Sequence, residues 1–400
     1  MMNSHPTHCI IFDPIAFKGG SKIATREALS LCDHTTTRFT VITSSLESWQ
    51  DVGFSDKQTV DFISLPSFRF IAKATSGFAF WFKQCIYSLY LLFLLLKLSR
   101  VSIAIGASGP GIDMPLYLLR PIFRFKLLQF IHGPVACSRS IGYCLTQANS
   151  VFYLPSTQRS LINALCRYYQ TQYTYLDASL IAQFVCQSRQ FTPFVNGITQ
   201  DKWPSPCQYE TPVVFWCASL LKWKGLDLLS ESLSEINEIQ SCRANICFIR
   251  PQDISLPCSI APQKLALAQW YEDPKNLDDI RRQSNIFVST SHHEPFGLSI
   301  LEALAAGMCV LIPQDGAYWD NVLTHDLNCI KYQPNNSNSL SEAILYASAE
   351  RLVVARIGTK AAQFAHQYHA ESTYWAIGYA INHHNKRLPS TAPMSLRSSL

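Results

Sequence analysis

His292–Gly307 reads HHEPFGLSILEALAAG. A Pro-Phe-Gly turn is followed by Leu298, Ile300, Leu301, Leu304 and Ala305, the spacing of a helix that starts near Gly297 and buries most of its surface. Two carboxylates interrupt the pattern: Glu294 just ahead of the turn, and Glu302 a turn and a half inside the helix. A carboxylate in such surroundings needs a partner. The helix dipole accounts for an acid near the first turn, but Glu302 sits deeper, between Leu301 and Ala303. A bound molecule with vicinal hydroxyls would satisfy its oxygens.

On either side of this helix stand NIFVSTS (285–291) and CVLIPQ (309–314), short apolar runs of the kind found in strands covered on both faces. The same rhythm extends through the chain. In the first half HCIIFD (8–13), RFTVITSS (38–45), VSIAIGA (101–107), KLLQFIHG (126–133), SVFYLP (150–155) and FTPFVNG (191–197) alternate with helical patterns over 21–32, 84–100, 136–148 and 157–170. In the second, VVFWCAS (213–219), a helix over 225–240, ANICFIR (244–250) and NCIKYQ (328–333) continue it. Between the halves lies ITQDKWPSPCQYETP (198–212), with three prolines and few aliphatics, which reads as a linker.

The pattern predicts an α/β chain of two Rossmann-like, doubly wound domains facing across a cleft. One covers 1–197 and the other 213–370. Helical segments follow from about Ser339 to His384, and LPSTAPMSLRSSL (388–400) is expected to be a disordered tail. A chain of 400 residues suits two cores better than one.

Charge is unevenly spread: net +8 over residues 1–200 and −3 over 201–400. A basic first half suits a phosphate-bearing or anionic-membrane partner; no nucleic-acid partner is expected. The 14 cysteines are scattered, without a Cys-x-x-Cys pair, and are expected to be reduced core thiols rather than a zinc site. MMNSHPTHCIIF lacks the features of a secretory signal, so a cytoplasmic chain is expected. QCIYSLYLLFLLLKLSR (84–100) has only thirteen residues between Lys83 and Lys97, below the roughly 18 of a membrane span. A buried helix is the first expectation, and an interfacial one the alternative.

Parallel sheets place ligands beyond the carboxyl ends of their strands, so strand-to-helix turns are the candidate sites. Four stand out. Gly19 and Gly20 follow the first strand and open a helix, a turn that lets a ligand approach the backbone; it is neither a Walker loop nor a complete G-x-G-x-x-G. His132 ends a strand ahead of Gly133 and Pro134. Lys224 and Gly225 lead into a second-domain helix, where the lysine can reach a diphosphate as a point charge. The fourth is the opening stretch, whose Gly297 and Leu298 amides sit between two acids. Hydroxyl partners at both ends with an anion site between them describe a nucleotide-sugar.

These residues resemble the retaining family 4 glycosyltransferases of GT-B fold, whose hallmark is two glutamates with seven residues between them and whose C-terminal helix, expected here over 371–387, crosses back to the N-terminal domain. EPFGLSILE (294–302) matches it, and GG at 19–20, HG at 132–133, FVNGI at 194–198 and KGLDLL at 224–229 follow in the family's order. The resemblance implies that His132 and Glu294 act at the sugar, with the backbone of Phe296 and Gly297 holding it. The Leu298 amide and Lys224 would take the diphosphate, Glu302 the ribose, and Gly19 and Gly20 would close on the phosphates. It further implies a hexosyltransferase with a nucleotide-diphosphate-sugar donor, a glycan or glycolipid acceptor, and no metal or other cofactor. Its setting would be lipopolysaccharide or capsule assembly, in the cytoplasm or peripherally on the inner face of the membrane. One position departs from the pattern: the family's Arg five residues before the Lys of the KG turn is here Ser219, and Lys222 is expected to supply the charge. Other readings are a non-catalytic subunit that binds a nucleotide-sugar, and a soluble disaccharide or storage-glucan synthase.

Overall fold

The computed structural model describes residues 6–383, apart from 17–18, 51–53, 55–58, 67–73, 75–76, 172–176 and 252–255. The chain divides into two compact units, one running to Asn196 and resuming at Thr373, the other spanning Gly197–Ser372. The expected tail, 388–400, and the end of the helix expected over 371–387 lie outside the described residues.

The first unit holds β1 (Thr7–Asp13), β2 (Thr37–Thr43), β3 (Val60–Ser64), β4 (Ile103–Gly106), β5 (Lys126–Ile131), β6 (Ser150–Tyr153) and β7 (Phe191–Pro193). They form one sheet in the order β3-β2-β1-β4-β5-β6-β7, every pairing parallel. Central β1 sets Cys9 opposite Phe39 on one side and Ile103 on the other. Cys9, Ile10, Ile11 and Phe12 are all fully buried, because helices cover both faces of the sheet and no position alternates outward. The helix Trp375–Asn382 belongs to this unit. Asn382 Oδ1 accepts from the Asp33 amide at 3.2 Å, and the Tyr374 ring lies 6.2 Å from that of Phe194.

The second unit holds β8 (Val213–Ser219), β9 (Arg243–Ile249), β10 (Ala268–Glu272), β11 (Ile286–Val288), β12 (Cys309–Pro313) and β13 (Ile330–Tyr332), again all parallel, in the order β10-β9-β8-β11-β12-β13. The segment read as a linker is fastened to this unit. The Ser205 amide donates to Asp278, the Cys207 amide to the Ala306 carbonyl at 2.8 Å, and the Tyr209 hydroxyl to the Gly307 carbonyl at 2.6 Å.

Two strands escaped the sequence reading, β3 (VDFIS) and β10 (AQWYE), and both are edge strands. The opposite edges β7 and β13 were read, but β3 and β10 have no fully buried residue and carry Asp61, Gln269 and Glu272, so they lack the continuous apolar run that marked the others. The helix Met114–Phe123 also escaped, with Pro115 at its start and Pro121 near its end.

Beneath the first unit's strand ends lies a buried polar network. Asp13 pairs with Lys22 at 2.7 Å and accepts from Trp49 Nε1 and Ser108 Oγ, each at 2.7 Å. Next to it, Asp113 accepts from Gln129 Nε2 at 2.8 Å and the Ser108 amide at 3.0 Å, while its Oδ1 is buried with no partner. Burial raises the Asp113 carboxyl well above its ordinary 3.8, opposed by the Gln129 and Ser108 hydrogen bonds and reinforced by nearby Asp13. The native state therefore favours the protonated acid. That contribution to stability is whole below the unfolded value and is lost as pH rises through the native one. Asp113→Asn, isosteric with the protonated acid, should flatten this dependence. Denaturant unfolding across a pH series from 4 upward is expected to show the variant gaining on the wild type by up to about 1.4 kcal/mol per pH unit. A constant difference at all pH values would refute it.

Candidate active site

In the second unit the order of strands reverses between β8 and β11, which lie side by side with Val214 opposite Ile286 and Phe215 opposite Phe287. Loops leaving adjacent strands at such a switch diverge and leave a crevice. Here these are the loop after β8, carrying Lys222, Lys224 and Gly225, and the loop after β11, carrying Glu294, Phe296 and Gly297.

Specific contacts bind the two loops to each other. The Thr290 hydroxyl donates to the Lys224 carbonyl at 2.8 Å, Trp216 Nε1 donates to Thr290 Oγ1 at 3.0 Å, and the His292 amide donates to the Trp223 carbonyl at 2.9 Å. Gly225 has φ +73°, and a Cβ there would lie 2.1 Å from the Thr290 carbonyl oxygen, so only glycine permits this approach. The result is an ion pair between Lys224 Nζ and Glu294 Oε2, with the side chains 16% and 13% exposed. The ammonium also lies 4.1 Å from the centre of the Trp223 ring.

Gly297, with φ +75°, is constrained in the same way, since a Cβ would press to 2.8 Å from Glu294 Cγ. Its neighbour Phe296 is buried, with Tyr318 and Trp319 ring centres at 5.1 and 5.0 Å, and its carbonyl accepts from Trp319 Nε1. The Phe296 side chain is thus an anchor for the loop, and its carbonyl already has a donor. Behind it the helix Leu298–Ala305 begins with no side-chain cap; the Ile300 and Leu301 amides donate to the Gly297 carbonyl at 3.1 and 3.4 Å, which leaves the Leu298 and Ser299 amides without an acceptor in the helix. Lys224 and the positive helix end together suit a diphosphate.

Glu302 has a partner that the sequence reading did not name. Arg281, in the helix Leu277–Arg282 that precedes β11, donates from Nη2 to Glu302 Oε2 at 2.5 Å and from Nη1 to Asp278 Oδ1 at 2.9 Å. Its side chain is 6% exposed and that of Glu302 27%, so the pair is only partly shielded from solvent. The expectation that a ligand alone accounts for this acid is corrected accordingly. The only sequence signal was the Arg pair ending LDDIRR, which by itself reads as helix C-terminal charge.

Lys222 lies at the start of the same turn as Lys224. It pairs with Asp227 at 2.9 Å, more than half exposed, and Asp227 also accepts from Ser259 Oγ at 2.6 Å. Ser219 ends β8 and is half-buried. A pocket of about 180 Å³ opens beside these loops, lined in part by Ser291, His293, Asp315 and Asn335; Lys224, Glu294 and Glu302 are outside it. Lys224 and the helix end are suited to an anion and the two carboxylates to hydroxyl groups, and neither feature lies in that pocket.

The remaining candidates belong to the first unit. The Gly19 carbonyl accepts from the Lys22 and Ile23 amides as the helix Gly20–Ser30 begins, and from that helix Thr25 Oγ1 meets His132 Nε2 at 3.0 Å. The His132 ring packs edge-on against Phe130 and Phe194, with Nδ1 buried and unpartnered. Burial lowers its pKa to about 4, so the ring is neutral at pH 7. Sequence order alone did not show that the glycine turn and His132 meet through Thr25.

Residues 198–364 match the model of the family described as Glycosyl transferases group 1. The O-antigen biosynthesis glycosyltransferase WclY of Escherichia coli is 25% identical over 137 residues, which are 34% of this chain. The chain spans 37% of the length of that relative. Among solved structures, that of Anabaena HepE in complex with UDP-glucose is similar over 94% of this chain and 99% of that one, with TM-score 0.69 and 13% identity. That of WaaG, a glycosyltransferase involved in lipopolysaccharide biosynthesis, is similar over 94% and 99%, with TM-score 0.64 and 13% identity. The fold is therefore that of the GT-B glycosyltransferases, two parallel-sheet α/β domains.

Proposed function

We propose that this chain is a glycosyltransferase that moves a sugar from a nucleotide-diphosphate-sugar donor to an acceptor hydroxyl, with the anomeric configuration kept. The observation that carries the reading is the Lys224–Glu294 pair set ahead of the uncapped helix Leu298–Ala305 at the switch between β8 and β11. The family match over that unit supports it, as does the sugar-nucleotide held by the structural relative HepE.

In this reading the diphosphate oxygens share Lys224 and the Leu298 amide, and Glu294 turns to accept from sugar hydroxyls. Glu302, steadied by Arg281, accepts from the ribose. Charge that develops on the leaving diphosphate meets fixed donors that need no reorganisation. Retention rests on the resemblance carried by Glu294 and Glu302, with attack on the face from which the diphosphate departs. Lys222, the only other cation of the turn, makes up in part for the arginine absent at Ser219.

The acceptor is a glycan or glycolipid of cell-surface assembly, at the cytoplasmic face of a membrane. The likeness to WclY, of O-antigen biosynthesis, and WaaG, of lipopolysaccharide biosynthesis, supports the cell-surface part of this reading. A panel of UDP-, GDP- and ADP-sugars incubated with the purified chain is expected to reveal slow hydrolysis of one donor, insensitive to EDTA. Activity abolished by EDTA would end the metal-free part of the reading. Binding of a donor with no turnover on any acceptor would favour the second reading, a non-catalytic subunit, for which Ser219 is the specific observation.

A further inference from the structure

The helix Gly77–Lys97 is apolar on every side, yet among the described residues only one face is covered. Gln84, Tyr87, Leu91 and Leu95 are buried, the last three within the first unit's core. On the opposite face Phe78, Phe82, Leu89, Phe93 and Leu96 follow at spacings of four, seven, four and three, a single stripe in a helix. Phe78 is 85% exposed, Leu89 65% and Leu96 70%. The neighbouring helix Met114–Phe123 continues this surface with exposed Leu118 and Ile122. A helix that is hydrophobic all round is normally buried, and a continuous apolar surface of this kind marks an interaction site.

The charge around it selects the occupant. From residue 62 to residue 176 the sequence has 11 Lys and Arg and a single acid, Asp113, which is fully buried. Lys97, Arg100 and Arg124, close to the ends of the two helices, are exposed, and Lys97 Nζ lies 4.0 Å above the Phe93 ring. A second copy docked on this face would bring two positive surfaces together. An anionic bilayer would take the apolar stripe into its interface and pair the cations with lipid phosphates.

We propose that the outer faces of Gly77–Lys97 and Met114–Phe123 form a monotopic docking surface for anionic membrane, with the first helix lying in the interfacial plane. Gly77–Lys97 is long enough to cross a bilayer. Crossing, however, would pull Tyr87, Leu91 and Leu95 out of the core, where Tyr87 packs edge-on to Phe12 of β1 with ring centres 6.3 Å apart. The in-plane pose keeps those contacts. It would place the first unit of a sugar-transfer enzyme against the lipid that bears an acceptor, although the docking itself does not rest on that reading.

Flotation of the full chain with phosphatidylcholine vesicles, with and without phosphatidylglycerol, tests this. The wild type should float with the anionic vesicles. Leu89→Ser/Phe93→Ser/Leu96→Ser should lower the partition coefficient by about a hundredfold or more. Lys97→Gln/Arg100→Gln/Arg124→Gln should lower it by about a hundredfold on anionic vesicles and leave it unchanged on neutral ones. All six side chains are exposed, so both variants should keep the wild-type Tm. Fluorophores placed through Phe78→Cys and Leu96→Cys should report equal depths. Failure to float, flotation indifferent to the triple serine variant, or unequal depths would overturn the proposal. So would a dimer in lipid-free buffer that the serine variant dissolves. None of these readouts needs donor or turnover, so the docking and the sugar-transfer reading can fail separately.

Discussion

Lys224→Ala is expected to lower kcat/KM for the donor by about a thousandfold, while Lys222→Ala costs at most about tenfold. The first figure is the size of effect seen when a preorganised donor to a developing negative charge is removed. The difference between two lysines in one turn comes from their surroundings. Lys224 is 16% exposed, fixed by the Trp223 ring and Glu294, while Lys222 is 56% exposed and screened by water. Removing Lys224 also leaves Glu294 largely buried without its cation, and a lost partner of that kind can cost 3–5 kcal/mol in stability, on the order of values for other buried pairs. Lys224→Met/Glu294→Gln separates the two effects, because it removes both charges: Tm should recover towards the wild type while activity stays lost. Recovery of activity together with Tm would mean that the pair serves folding only. Equal losses for Lys222→Ala and Lys224→Ala would mean that the turn acts as a diffuse positive patch.

Arg281→Gln is expected to raise the donor KM by about a hundredfold with a much smaller change in kcat. Arg281 holds Oε2 of Glu302, whose side chain is partly exposed, so Arg281 acts as a positioning residue. Ribose hydroxyls are far from the reacting carbon, and contacts to them are the same in ground and transition states. Their loss therefore falls on KM. Arg281→Lys should recover only part of the loss, since an ammonium cannot span Glu302 and Asp278 as the guanidinium fork does. Asp278→Asn should have a weaker effect of the same kind, because it is half-exposed. A fall in kcat with unchanged KM would remove Glu302 from the ribose. Variants that lose Tm without any change in donor KM would leave Arg281 a stability role alone.

The legible parts of this protein were those encoded in runs of neighbouring residues. Unbroken apolar runs such as HCIIFD and VVFWCAS predicted parallel strands because a sheet covered on both faces leaves no polar alternation. The edge strands β3 and β10 were missed for the complementary reason. The EPFGLSILE block announced a helix start with two acids, and the KG turn a cation, since the spacing of glycine, proline and charge is itself local. What the folded chain does with those groups depends on residues far apart in sequence. Glu302 finds Arg281 21 positions earlier, Lys224 finds Glu294 70 positions later, and Gly225 is glycine because of the Thr290 carbonyl. Likewise the helix read first as buried has one face in the core and one open, because hydropathy shows how apolar a segment is and only packing shows which side finds a neighbour. The sequence by itself determined two parallel α/β units and the chemical inventory of the strand ends. Only the tertiary structure decided the pairing of those charges and the apolar face left outside, because long-range contacts are set by which loops the strand order brings side by side.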